Sequence, residues 1–143
     1  MAARSRPTAV RARSTLIDRH DLDSDIGERL ARVALLSLDV DGVLTDGRLY
    51  FTDRGSEIKA FSTQDGHALR MLRGTGVEVA IITGRRTRLV ARRARELGVR
   101  HLFQGAGEKR DALGRLLERT GLSAGSVAHV GDDVPDLPVL GRV

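Results

Sequence analysis

Between residues 33 and 130 the chain alternates short, almost unbroken apolar runs with longer stretches in which apolar positions recur every three or four residues. Runs of the first kind fit strands buried on both faces of a parallel sheet, and stretches of the second kind fit helices that lay one apolar stripe on that sheet. Strands are therefore predicted over residues 33–39, 77–82, 99–103 and 126–130. Val90, Ala94 and Leu97 share one helical face, as do Leu113, Leu116 and Leu117, and Gly74, Gly98 and Gly121 stand where helices should end. A further helix over residues 24–32 leads into the first strand. Residues 48–61 break the rhythm, because two short apolar segments flank Asp53-Arg54-Gly55, which predicts a β-hairpin with a tight turn. Together these elements make an α/β domain: a parallel sheet covered by helices, with a hairpin flap.

The 143 residues suffice for one domain with its own core, and 41% hydrophobic against 30% charged residues is a globular balance. No apolar run approaches the roughly 20 residues that span a bilayer, so no membrane partner is expected. With no cysteine the fold cannot rest on disulfides or thiolate metal sites, which suits the cytoplasm. The chain opens with Arg4, Arg6, Arg11 and Arg13 and no acid before Asp18. Residues 1–20 are therefore expected to form a disordered basic leader, with residues 21–143 as the folded domain. A net charge of +5 raises nucleic-acid binding as a possibility. The arginines are scattered along every segment, however, and three Phe and one Tyr offer little for base stacking, so a nucleic-acid partner is not expected.

Open parallel sheets bind ligands beyond the carboxyl ends of their strands. The predicted strand ends carry Asp39 and Asp41, then Thr83-Gly84-Arg85, then Lys109 in the segment after the third strand, then Gly131-Asp132-Asp133. Asp39 and Asp41 are two residues apart, so their side chains are expected to point the same way and address one phosphoryl group. One carboxylate can attack phosphorus while the other protonates the leaving oxygen and later deprotonates a water. Converging carboxylates repel one another and an incoming phosphate unless a hard cation lies among them. Mg²⁺ suits such oxygen ligands, with Asp132 as the third candidate ligand beside Asp39 and Asp41. Thr83, at an expected helix N-terminus, and Lys109 are the candidate donors to the phosphoryl oxygens. Each motif alone has a plainer reading as a turn, a cap or a loop; jointly and in this order they point to phosphoryl transfer. Only Lys59 and Lys109 are lysines among 24 basic residues, and a lysine at a predicted phosphate site in a chain that otherwise uses arginine marks a compact ammonium. The same reasoning flags Lys59, for which a solvated hairpin lysine is the alternative.

These residues resemble the haloacid dehalogenase superfamily, whose four motifs match, in the same order, Asp39-Val40-Asp41-Gly42-Val43, Thr83-Gly84, Lys109 and Gly131-Asp132-Asp133. Receiver domains also combine acids, Thr and Lys on a parallel sheet, but there the Thr and Lys follow all the acids. More narrowly, residues 26–143 are similar to the 3-deoxy-D-manno-octulosonate 8-phosphate phosphatase family. The similarity rests on the run from Asp41 to Gly47, the Gly55-x-Glu57-x-Lys59-x-Phe61 hairpin, Asp65-Gly66, the run from Ala80 to Arg85, Gln104-Gly105 and the run from Gly131 to Leu140. The resemblance implies a Rossmann-like three-layer fold without a large cap domain. It implies Mg²⁺-dependent hydrolysis of that sugar-acid phosphate through an aspartyl-phosphate, a step of lipopolysaccharide biosynthesis. Asp39 would be the nucleophile and Asp41 the acid and base. Mg²⁺ would be held by Asp39, the Asp41 carbonyl and Asp132, with Asp133 supporting the metal site, while Thr83, Gly84 and Lys109 would bind phosphate. It further implies a homotetramer in which the hairpin over residues 48–61, Lys59 included, helps close a neighbour's site. Arg85 after Thr-Gly favours the octulosonate branch over nonulosonate 9-phosphate phosphatases, where an acidic residue tends to stand, and a guanidinium there can grip a substrate carboxylate at two points.

Family members usually continue past the last motif with a strand, a helix and a Gly-rich tail, whereas here the sequence stops at Val143. A C-terminally shortened chain is thus expected, with an exposed sheet edge and apolar surface beside it. Two other functions remain open on the sequence: a phosphatase of a related nonulosonate 9-phosphate, and a non-catalytic domain like those fused to cytidylyltransferases.

Overall fold

The apolar runs become the central sheet and the periodic stretches its cover. The computed structural model describes residues 24–143, so the expected leader over residues 1–20 lies outside the described residues. In chain order the strands are β1 (Leu35–Leu38), β2 (Tyr50–Phe51), β3 (Glu57–Ile58), β4 (Glu78–Thr83), β5 (His101–Gln104) and β6 (Val127–Val130). The helices are α1 (Ser24–Arg32), α2 (Thr63–Gly74), α3 (Arg88–Glu96), α4 (Lys109–Thr120) and the single turn α5 (Leu137–Leu140). Helix α1 covers the predicted residues; all but its last residue, Arg32, falls outside the unit Arg32–Val143 that holds the sheet.

β1, β4, β5 and β6 form one parallel sheet in the order β5-β4-β1-β6. Leu38 lies beside Ile81 of β4 and Val130 of β6. Strand alternation then builds two cores. Val79 and Ile81 pack with Leu69, Val90, Ala94 and Leu97 of α2, α3 and the end of α3, whereas Ala80 and Ile82 pack with Ala112, Leu113 and Leu116 of α4. The result is the expected three-layer α/β architecture. Each fully buried Leu or Ile contributes about 1.5–3 kcal/mol, and β4, buried at five of its six positions, is the strand most firmly held.

Three local expectations shift. The strand predicted to run through Asp39 ends at Leu38, because the amides of Val43, Leu44 and Thr45 all converge on the Val40 carbonyl and turn the chain back. The turn after α2 uses Gly76 (φ +96°) rather than Gly74, which is the last helical residue; the left-handed conformation, open to a residue without Cβ, comes two positions later. The helix expected at Thr83 begins at Arg88, capped by the Thr87 hydroxyl, which accepts from the Val90 amide at 3.2 Å. Thr83 instead closes β4.

The hairpin forms as predicted. Tyr50 pairs with Ile58 and Phe51 with Glu57, and the Thr52 amide donates to the Ser56 carbonyl at 2.9 Å, leaving Asp53-Arg54-Gly55 as the turn. No helix among the described residues is long and apolar enough to cross a membrane.

Candidate active site

The sheet order reverses at β1: the chain adds β4 and β5 on one side and then returns to add β6 on the other. Ends of strands flanking such a reversal diverge and leave a crevice. Asp39 stands there one residue past β1, held by its amide, which donates to the Val130 carbonyl at 3.0 Å. Asp132 follows β6, and Lys109 opens α4. Asp39, Asp132 and Asp136 bring carboxylate oxygens within 4.8 Å of one another.

Two of these carboxylates are buried around Lys109, itself 5% exposed. Its ammonium lies 3.0 Å from Asp39 Oδ2 and 2.7 Å from Asp136 Oδ1. His129 Nε2 meets the same Asp136 oxygen at 2.9 Å, and His129 Nδ1 meets the Ser37 hydroxyl at 3.2 Å. The remaining oxygens, Asp39 Oδ1 and Asp136 Oδ2, are buried and find no hydrogen-bond partner among the described residues. Unmatched buried anionic oxygens are costly. Two of them beside a third carboxylate suit an oxygen-seeking divalent cation such as Mg²⁺.

The environment splits the two buried acids. Burial pushes the Asp39 carboxyl above its usual value, with a hydrogen bond from the Val40 amide and the Lys109 ammonium only partly opposing it. Burial acts the same way on Asp136, but there hydrogen bonds from Lys109 and His129 prevail and hold it below the usual value.

Asp41 goes elsewhere. Asp39 and Asp41 were expected to point together as on a strand, but the turn at Val40 ends strand alternation. The Asp41 carboxylate meets Lys59, whose ammonium also lies 3.3 Å from Glu57 Oε1. Arg85 Nη2 donates to the same Glu57 oxygen at 3.0 Å, and Arg85 Nε lies 3.9 Å from Asp41 Oδ2. With its side chain 1% exposed, Lys59 is a buried member of this network and no solvated hairpin lysine. The hairpin thus closes over the Asp41 of its own chain.

The other predicted residues fall nearby or in local roles. Thr83 is buried at the end of β4, where its carbonyl accepts from the Ala106 amide at 3.1 Å. Gly84 follows it, with the Ala106 carbonyl 3.9 Å from where a Cβ would stand. Asp133 turns back on its own backbone and accepts from the Val134 amide at 2.7 Å, outside the carboxylate cluster. Asp136 is the residue that sequence reasoning missed. It stands four residues past Asp132, but a loop and the short 3-10 turn Val134–Asp136 bring the two together rather than a shared helix face, so no spacing rule marked it.

Comparison with known proteins agrees with this geometry. The family model for haloacid dehalogenase-like hydrolases matches residues 51–143. The chain is 43% identical over 122 residues to the 3-deoxy-D-manno-octulosonate 8-phosphate phosphatase KdsC of Escherichia coli, covering 85% of this chain and 65% of that one. It therefore spans just under two thirds of that relative's length. A crystal structure of a probable YrbI family phosphatase from Pseudomonas syringae superposes with a TM-score of 0.82 at 52% identity, covering 85% of this chain and 69% of that one. A 3-deoxy-D-manno-octulosonate 8-phosphate phosphatase from Moraxella catarrhalis, solved with magnesium, phosphate and the sugar acid, gives 0.77 at 42% identity, covering 79% and 65%.

Proposed function

The chain belongs to the haloacid dehalogenase-like hydrolase family, and on that premise we propose that it is a Mg²⁺-dependent phosphatase that releases inorganic phosphate from 3-deoxy-D-manno-octulosonate 8-phosphate. The observation that carries this reading is the meeting of Asp39, Asp132 and Asp136 at the β1–β6 reversal, two of them, Asp39 and Asp136, on buried Lys109. Asp39 and Asp132, with the Asp41 carbonyl, would hold Mg²⁺, and Asp133 would steady that site from the same loop. The metal, when bound, offsets repulsion between these carboxylates and an incoming phosphate.

The chain's own residues do the rest. The Asp39 carboxylate attacks phosphorus, the bond from phosphorus to the sugar oxygen breaks, and Asp41 gives its proton to that oxygen. Water then attacks the aspartyl-phosphate, Asp41 takes up its proton, and Asp39 and free phosphate are regenerated. Lys109, fixed by Asp136, supplies positive charge to the phosphoryl oxygens, and Thr83 and the Gly84 amide donate to them from the end of β4. Arg85 and Lys59 face the leaving sugar acid, where two cations favour a carboxylated substrate. A cytoplasmic homotetramer joined through the hairpin belongs to the same reading, supported by the absence of cysteine and by the exposed apolar side chains of that hairpin.

The test is phosphate release from 3-deoxy-D-manno-octulosonate 8-phosphate with and without Mg²⁺, beside a nonulosonate 9-phosphate. Turnover that needs the metal, favours the octulosonate and disappears in Asp39→Asn is expected. No release from either substrate would sink the reading.

A further inference from the structure

Of the four charged groups that meet at the hairpin, Glu57 alone has no part in the reaction just described. Its Oε1 accepts from Arg85 Nη2 at 3.0 Å and lies 3.3 Å from Lys59 Nζ, so one carboxylate oxygen engages both cations. A guanidinium and an ammonium around a carboxylate are the arrangement expected for binding a carboxylated ligand. Here the chain supplies the carboxylate itself, from the first residue of β3. We infer that Glu57 is an internal stand-in for the substrate's carboxylate, and that a sugar acid binds by displacing it from Arg85. This rests on the assignment of Arg85 to a substrate carboxylate.

The consequence is a threshold of specificity. A ligand without a carboxylate cannot replace what Glu57 gives Arg85, so it leaves Glu57 latched on Arg85. A carboxylated ligand exchanges one ion pair for an equivalent one, while Lys59 keeps its contacts to Asp41 and Glu57 and the hairpin stays over the site. Because the latch is intramolecular, the ligand's apparent affinity falls by the fraction of time that Arg85 is free.

The experiment uses the full chain and calorimetric titration with 3-deoxy-D-manno-octulosonate, the sugar acid without its phosphate. Glu57→Gln, which keeps the shape and removes the charge, should bind about five- to tenfold tighter than the parent, and Glu57→Ala should change in the same direction. Arg85→Ala should bind more weakly, and the gain from Glu57→Gln should vanish in the Arg85→Ala background. Equal or weaker binding by both Glu57 variants, a gain that persists without Arg85, or no binding by any of the proteins would overturn the inference. Binding by the Glu57 variants alone would support it. Failure of the phosphatase reading would show separately, as absent phosphate release from the parent, while this binding series still gives its answer.

Discussion

At the scale of single residues the site is a problem in buried charge. Asp39 is 6% exposed, and its carboxyl is raised above the ordinary value near 3.8 because burial disfavours its ionised form. A group that binds its proton more tightly in the folded chain stabilises the fold below the unfolded value and withdraws that stability as pH rises through the folded value. In metal-free buffer at pH 7 the ionised Asp39 is therefore a net cost. Asp39→Asn should have a higher urea midpoint than the parent with chelator present, the difference closing as pH falls toward 4, even though the same change abolishes turnover. A lower midpoint at pH 7 would contradict this. Lys109 behaves in the opposite way, since it compensates both Asp39 and Asp136. Removing one partner of a buried pair costs about 3–5 kcal/mol, so Lys109→Met should lose that much in chelator, measured by urea unfolding. Adding Asp136→Asn should recover part of the loss, and an unchanged midpoint in Lys109→Met would show that the two acids do not depend on its charge.

At the scale of elements the turns after the strands decide whether the carboxylates meet. Gly42 adopts φ +93°, and a Cβ there would stand 1.8 Å from Asp132 Oδ2, so the β1 turn can hold its shape beside Asp132 only without a side chain. Gly42→Ala carries about 1–2 kcal/mol of left-handed strain and must also push the Asp132 carboxylate away. A cation that binds only the folded state adds about 2.7 kcal/mol at a hundred times its Kd. The rise in Tm with Mg²⁺ should accordingly be present in the parent and lost in Gly42→Ala. Gly55→Ala in the hairpin turn, with the same strain and open space around it, should lose some Tm yet keep the metal response. An intact Mg²⁺ shift in Gly42→Ala would disprove the clash. These turns also mark how far the sequence could be read. The strands were legible because β4 and its neighbours are unbroken apolar runs, and the hairpin because Gly55 punctuates it. The start of α3 was not, since Thr83-Gly84 and Thr87 can each cap a helix and only the packing of Gln104, whose Oε1 accepts from the Thr87 amide at 2.9 Å, selects the later one. Lys109 could be marked by its chemistry, whereas the grip of Glu57 on Arg85 spans 28 positions and leaves no trace in local spacing.

At the scale of the whole molecule two apolar areas stay uncovered on the Arg32–Val143 unit. One is the hairpin, with Leu49, Tyr50, Phe51 and Ile58; the other surrounds α5, with Val134, Leu137 and Leu140 beside Val130 at the sheet edge. Clustered exposed apolar side chains of this kind mark association surfaces. The homotetramer proposed above assigns the hairpin to the seam between subunits, and the same hairpin carries Glu57 and Lys59 onto Asp41 of its own chain. Assembly and site closure are then one event, because anchoring four hairpins against one another also fixes Lys59 over each Asp41. Phe51, 60% exposed, and Ile58, 52% exposed, lie outside both hydrophobic cores of the subunit, so substitution there leaves the cores intact. Phe51→Asp combined with Ile58→Asp should therefore keep the subunit's thermal unfolding but lower its mass in sedimentation, and should reduce kcat/KM by about tenfold or more through the loosened hairpin. Leu137→Asp, on the other area, should leave the mass unchanged. A parent that sediments as a monomer at every concentration, or a hairpin variant that keeps the parent's mass, would remove the hairpin from the seam and leave closure over Asp41 to each subunit alone.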